Sequence, residues 1–152
     1  MANPFITIDA SSTVSAATDN LPLLQEYAWD FANDRFLLDT RGHHVTVTEN
    51  EALKVWIYKA LKTQRYRYEC YRHGELDIDA PYGVDLEEYI GKYPNTVATA
   101  QLIIRDIKSC LALNPYIKRV ISVEIAERKK DKLVIEIELE SIYGADSTSV
   151  TI

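Results

Sequence analysis

The sequence predicts an α+β domain, with a mainly antiparallel sheet, about three helices packed on one face and a C-terminal β-hairpin. Three observations carry that prediction. Short strand-like runs come first, helical apolar periods fill the middle, and alternating runs close the chain. Near the end, Leu133, Ile135, Ile137 and Leu139 alternate with Val134, Glu136, Glu138 and Glu140, the pattern of a strand with one dry and one wet face. At 152 residues the chain is also long enough to bury a single core without metals or disulfide staples.

Residues 1–20 are rich in Ser, Thr, Ala and Asn without a sustained period, and read as a flexible N-terminal arm that orders only when captured. The domain is placed at residues 21–144, with a C-terminal tail at 145–152. Residues 27–37 and 44–48 read as short strands around the turn Asp39-Thr40-Arg41-Gly42, with Trp29, Phe31 and Phe36 as core candidates. Thr48 and Glu51 form a capping box, and Val47 and Ala52 are spaced as its hydrophobic staple. The helix that follows shows Leu53, Trp56, Ile57, Ala60 and Leu61 on one stripe.

After Thr63 the period changes to two. An extended segment then puts Tyr66, Tyr68 and Cys70 on one face and Arg65, Arg67, Glu69 and Tyr71 on the other. Tyr66 and Tyr68 are read as finishing the core, and Arg65 and Arg67 as pairing with nearby carboxylates. Residues 72–80 form an acidic loop. A second capping box, Asp85 with Glu88, opens a two-turn helix stapled by Val84 and Tyr89 and stopped by Gly91. The longest helix is expected over residues 96–113, with Val97, Ala100, Ile103, Ile104, Ile107, Cys110 and Leu111 inside. Asn114-Pro115 ends it. Two strands, 117–126 and 133–142, are joined by residues 127–132, whose Arg128-Lys129-Lys130 reads as a charged hairpin tip. Phe5-Ile6-Thr7-Ile8 and Val150-Thr151-Ile152 are strand-like runs for which the domain shows no evident partner.

Composition narrows the function. Lys and Arg total 17 against 23 Asp and Glu, a net charge of −6, so the long-range field disfavours nucleic acid and anionic membranes. No apolar run approaches the roughly 20 residues that span a bilayer, and no basic region followed by an apolar one marks a secretion signal. The two cysteines, Cys70 and Cys110, lie in apolar-periodic segments and are read as buried free thiols. Glu75, Asp77 and Asp79 form the densest carboxylate group outside the elements, but they alternate in a polar loop rather than facing each other across a cleft. With His73 they lack the glycine and terminal glutamate of a calcium loop. His43 and His44 sit in a turn and are read as surface histidines. No phosphate loop, nucleophile elbow or zinc spacing occurs. The expectation is a protein with no cofactor, no metal and no catalysis. The alternative is a single-stranded nucleic-acid-binding module, with the basic and aromatic side chains of segment 65–71 stacking bases.

The order Trp56-Ile57-x-x-Ala60-Leu61-x-Thr63-x-Arg65-Tyr66-x-Tyr68, then Tyr82-Gly83, then Ile90-Gly91, then a long helix ending Leu113-Asn114-Pro115-Tyr116-Ile117, resembles the XkdS-like baseplate proteins of contractile-tailed phages and prophages. The resemblance covers residues 27–144. More remotely, that family is similar to the lysozyme-like baseplate wedge subunit of T-even-type tails and to the sheath-initiating subunit of type VI secretion systems. The resemblance implies a structural subunit in several copies near the inner baseplate, bridging wedge proteins and the start of the sheath, with the tail tube or hub nearby. It implies assembly in the bacterial host cytoplasm and residence in the tail baseplate, and no reaction. The remote relatives carry Glu-Pro-Arg after the first long helix; here that position reads Thr63-Gln64-Arg65, so Arg65 alone carries over. The interaction candidates are Arg65, Tyr66, Tyr82, Gly83, Val150, Thr151 and Ile152, the last three as part of a strand offered for β-augmentation.

Overall fold

The computed structural model describes residues 21–68, 82–89, 96–129 and 132–151. The N-terminal arm, the acidic loop 72–80, Cys70, Gly91 and Ile152 lie outside the described residues.

Alternation builds the main sheet. Strands β5 (Ile117–Arg128), β6 (Leu133–Ser141) and β7 (Gly144–Thr151) run antiparallel in the order β5-β6-β7. On the central strand, Leu133, Ile135, Ile137 and Leu139 are buried, while Glu136 and Glu138 are exposed. The third strand was not expected. Residues 145–151 are no tail: each residue from Gly144 to Thr151 faces a partner on β6, and Val150, only 2% exposed, lies opposite Ile135 in the core. Small polar residues hid this strand, because alternation is legible only where one face is markedly apolar.

Helices α1 (Glu49–Lys62) and α3 (Val97–Leu111) cover the apolar face of the sheet, and the one-turn α2 (Leu86–Tyr89) adds Leu86. Leu53, Ile57, Ala60 and Leu61 of the expected α1 stripe are buried, with Trp56 at its margin. α1 also buries Ala52, Val55 and Tyr58 on a second flank. In α3, Ile103, Ile107, Cys110 and Leu111 are buried as expected, but Val97 is 75% exposed and Thr99 takes the inner position. Val97 lies six residues before Ile103, about 120° around the helix, which carries it off the stripe. Thr96 caps α3 by accepting from the Thr99 N–H. Thr48 stands at the N-cap of α1 but makes no such bond. Glu49 explains the difference: it has φ 56, its N–H goes to the Leu24 carbonyl, and the Glu51 carboxylate pairs with Lys54 rather than reaching back.

The N-terminal part forms two short ladders, β1 (Gln25–Tyr27) with β4 (Thr46–Thr48) and β2 (Trp29–Asp30) with β3 (Arg35–Phe36). The turn is built as predicted: Gly42, at φ 85, donates to the Asp39 carbonyl, and the Asp39 carboxylate accepts from Arg41 and His43 N–H groups. Phe31 and Phe36 are not core residues, being 46% and 43% exposed. They belong instead to an aromatic layer, Trp29 against Phe36 at 4.6 Å and Phe31 against Tyr58 at 5.1 Å, that covers one flank of α1. A two-residue ladder is too short to bring a second layer over them. The start of the domain is tied to its far end: the Leu24 N–H donates to Tyr143, and the Tyr116 hydroxyl donates to the Pro22 carbonyl.

The Tyr58 hydroxyl donates to the Asp34 carboxylate at 2.6 Å. That bond, aided by the Lys62 charge and opposed by partial burial, holds the Asp34 carboxyl below its ordinary value. A depressed carboxyl pKa adds stability above the unfolded value of about 3.9 and loses it as pH falls through the folded value. Tyr58→Phe should therefore cost about 1 kcal/mol at neutral pH, discounted because Asp34 is largely solvated. Denaturant midpoints should converge with those of the unaltered protein as pH falls through the depressed folded value and the carboxyl is protonated in both states; a gap that persists in acid would assign the effect to packing.

Candidate functional site

The interaction candidates separate into two places. Arg65, Tyr82 and Gly83 meet where α1 ends. Thr63 closes that helix with its N–H and hydroxyl on the Lys59 carbonyl, and its own carbonyl accepts the Val84 N–H at 2.9 Å. Gly83, at φ 96, permits this approach: a Cβ there would stand 2.5 Å from the Thr63 carbonyl oxygen. Arg65 Nε donates to the Gly83 carbonyl at 3.0 Å, and its terminal nitrogen reaches Ser109 Oγ of α3 at 3.4 Å. Tyr82 sets its ring edge-on to Trp56 at 5.8 Å. The three residues thus form an internal joint between α1, α3 and the segment before α2.

Charge in this joint is partly enclosed. Burial, reinforced by Glu88 and opposed by Arg65, lifts the Asp85 carboxyl above its ordinary value. Burial likewise pushes the Cys110 thiol up, against the Gly83 backbone and the Arg65 charge, so it stays protonated and unreactive at neutral pH. The sequence leads one to expect Arg65 paired with a carboxylate; its hydrogen bonds go instead to the Gly83 carbonyl and Ser109, and Arg65→Ala removes both from the joint. The substitution should lower stability by about 1–2 kcal/mol in chemical unfolding.

Segment 65–68 is a turn and not a strand. Tyr66 has φ 61, which breaks the alternation, and Tyr66 and Tyr68 are 55% and 49% exposed rather than in the core. Arg67 donates to the Gln64 side chain and lies 5.8 Å from the Tyr68 ring centre. The extended Arg/Tyr face on which the nucleic-acid reading rested does not form over these residues. Short-range alternation misled here because Gly83 draws Thr63 and Arg65 inward, a constraint set by residues eighteen or more positions away.

Val150 and Thr151 lie on β7, an edge strand of the sheet among the described residues. Its pairing with β6 runs without a shift from Gly144 to Thr151, whereas β5, at the other edge, has three register shifts. Bulges twist an edge away from further pairing; a regular strand leaves one open. Ser147 sends its N–H to the Asp146 carboxylate at 2.8 Å, which places it among the alternate residues whose backbone groups face away from β6. Asp146 is held in turn by Lys54 of α1 at 3.5 Å.

The outer face of the sheet is acidic. Glu124 stands directly opposite Glu136, and Ser122 opposite Glu138. Glu136→Gln should relieve that like-charge pair and stabilise the free domain by about 0.5 kcal/mol, read as a higher midpoint in chemical unfolding. Arg128 donates to the Tyr89 carbonyl, and Lys129 and Lys132 share Glu127, so the described cations at this hairpin end are each engaged within the domain. Among the described residues no group of three His, Cys, Asp or Glu side chains is placed to hold a metal. His43 pairs with Asp39, and His44 packs on Tyr27 and Phe36. No described helix is long and apolar enough to cross a membrane.

Comparison with known families decides the identity: residues 25–144 match the contractile injection system sheath initiator family, from the first residue of β1 to the first of β7. The chain belongs to that family. The sheath initiator match places the protein among baseplate-type components of contractile tails and gives it a structural role at the start of the sheath. No curated protein matches the chain. In this sheath initiator the joint at Gly83 lies inside the matched region, whereas β7 continues beyond it. Sequence reasoning named Val150 and Thr151 on β7, but missed Ser147 and Ser149. The available signal was the strict alternation of Asp146, Thr148 and Val150 with smaller residues.

Proposed function

We propose that this sheath initiator bridges the baseplate wedge proteins and the first sheath ring, and that β7 is the edge at which a sheath subunit adds a strand. The observation that carries this reading is the unshifted register of β7 beside an irregular β5, since main-chain pairing needs a regular edge. The expectation that both termini are strands awaiting a partner is thereby altered for the C-terminal one, which is already paired on one side and, among the described residues, open on the other. The wedge-facing surface is assigned to exposed Tyr66 and Tyr68, held outward by the Arg65 and Gly83 joint. Several copies would act together in one particle, assembled in the bacterial host cytoplasm, with the tube or hub as neighbours.

Ser149→Pro tests the edge. Ser149 shares the outward-facing parity of Ser147, and proline on an edge strand removes a donor and fills the space an added strand needs, with little effect on the fold. The variant should unfold like the unaltered protein yet fail to nucleate sheath polymerisation from purified cognate sheath subunits. Normal nucleation would exclude the β7 edge. Removing residues 1–20 addresses the other terminus: loss of baseplate incorporation with sheath nucleation retained would give that arm the wedge side.

A further inference from the structure

We infer that the strand received at the β7 edge carries lysine or arginine at alternate positions, on the side that continues the outer face of the sheet. This inference rests on the reading of β7 as the acceptor edge and specifies the chemistry of what it accepts. The outer face holds a shallow trough of about 330 Å³ lined by Ser122, Glu124, Glu136, Glu138, Ser147 and Ser149. Glu138 accepts a bond from Ser122 at 3.2 Å, and among the described residues none of the three carboxylates has a cationic partner. By contrast, Glu140 at the end of the same face is paired with Arg119 at 2.7 Å. The charges in the trough are therefore left over from the domain's own pairing, and one pair of them is directly opposed across strands.

The position of the serines supplies the path. Ser149 lies opposite Glu136 and Ser147 opposite Glu138. A strand added beyond β7 would stand two strand spacings, about 10 Å, from β6. A long cationic side chain and a glutamate meet across that distance only when the residue between them is small. Serine at both positions satisfies that condition, and larger side chains would close it. The incoming strand would thus be fixed twice, through main-chain pairing at the edge and through charge pairing across it, which sets its register as well as its identity. The net charge of −6 favours approach of a cationic segment from long range.

The test uses the full chain and short synthetic peptides of alternating Lys and Val, Thr and Val, or Glu and Val, with affinity measured by fluorescence anisotropy at low and high salt. The Lys peptide should bind, the Thr peptide about tenfold more weakly, in keeping with two solvent-facing ion pairs, and the Glu peptide not at all. Glu136→Gln with Glu138→Gln should reduce the Lys peptide to the level of the Thr peptide, and Ser149→Pro should abolish binding of both. Equal binding of Lys and Thr peptides, unchanged in the double glutamine variant, would overturn the charge selection and leave strand addition standing. Lys-peptide binding that survives Ser149→Pro would show adsorption to the acidic face without strand pairing and overturn the inference. No binding of any peptide would overturn it too, and sheath nucleation by Ser149→Pro would then decide separately whether the β7 reading also falls.

Discussion

Replacing Gly83 with alanine is expected to destabilise the protein by about 3 kcal/mol or more, a larger effect than at the other described glycines, where nothing lies within 4 Å of an added Cβ. Two costs combine. Alanine at φ 96 leaves the regions favoured by side-chain-bearing residues, and its Cβ would stand 2.5 Å from the Thr63 carbonyl oxygen, which accepts the Val84 N–H and cannot move without breaking that bond. Relaxing the clash would also shift the Gly83 carbonyl from Arg65. Gly42→Ala provides the control: it has a similar φ of 85 with nothing within 4 Å of its added Cβ, so it carries the conformational cost alone, about 1 kcal/mol. Thermal or chemical unfolding of the two variants side by side separates the terms. Equal losses would mean that the segment at Gly83 moves aside freely, and the joint would not be a fixed support for Tyr66 and Tyr68.

Ending the chain after Tyr143 is expected to abolish cooperative folding. The truncation removes β7, uncovers one whole side of β6 and takes Val150 out of the core. Burial of that valine alone is worth about 1.5–3 kcal/mol, and Ile135 and Ile137, both fully buried, would lose their flanking strand. A two-stranded remnant has little independent stability, and the total loss is comparable with the whole stability of a domain this size, about 5–15 kcal/mol. Circular dichroism and dye binding should report an aggregated or loosely packed chain. A truncated chain that unfolds with an unchanged midpoint would show that β7 is an appendage, and the edge reading would then need another strand.

The two predictions concern the places where sequence and structure part company. The amphipathic helices and the β5–β6 hairpin were legible because their periods are strongly apolar on one side, and Thr96, Asn114 and the Asp39 to Gly42 turn act locally as their types suggest. The Arg65 to Tyr68 turn and β7 were misread for opposite reasons. Alternating Arg and Tyr imitated a strand, whereas Asp146, Ser147, Thr148 and Ser149 carried too little contrast to look like one. Of the candidate site, Arg65, Tyr82 and Gly83 were named together, and the structure joins them. The outer-face serines and glutamates that define the β7 trough were visible only as separate polar positions.

By itself the sequence determined the α+β class, the helices that form the core, the central strand of the sheet and the resemblance that led to contractile tails. Those features follow from local period and residue type, which act over a few turns or a single strand. The tertiary structure decided which residues end inside and which edges stay open. Gly83 turns Arg65 inward by close backbone contact over eighteen residues, and β7 becomes a strand only because β6 offers it a complete ladder. Neither constraint is carried by neighbours in the chain, so the local pattern left no trace of the first and only a faint alternation of the second.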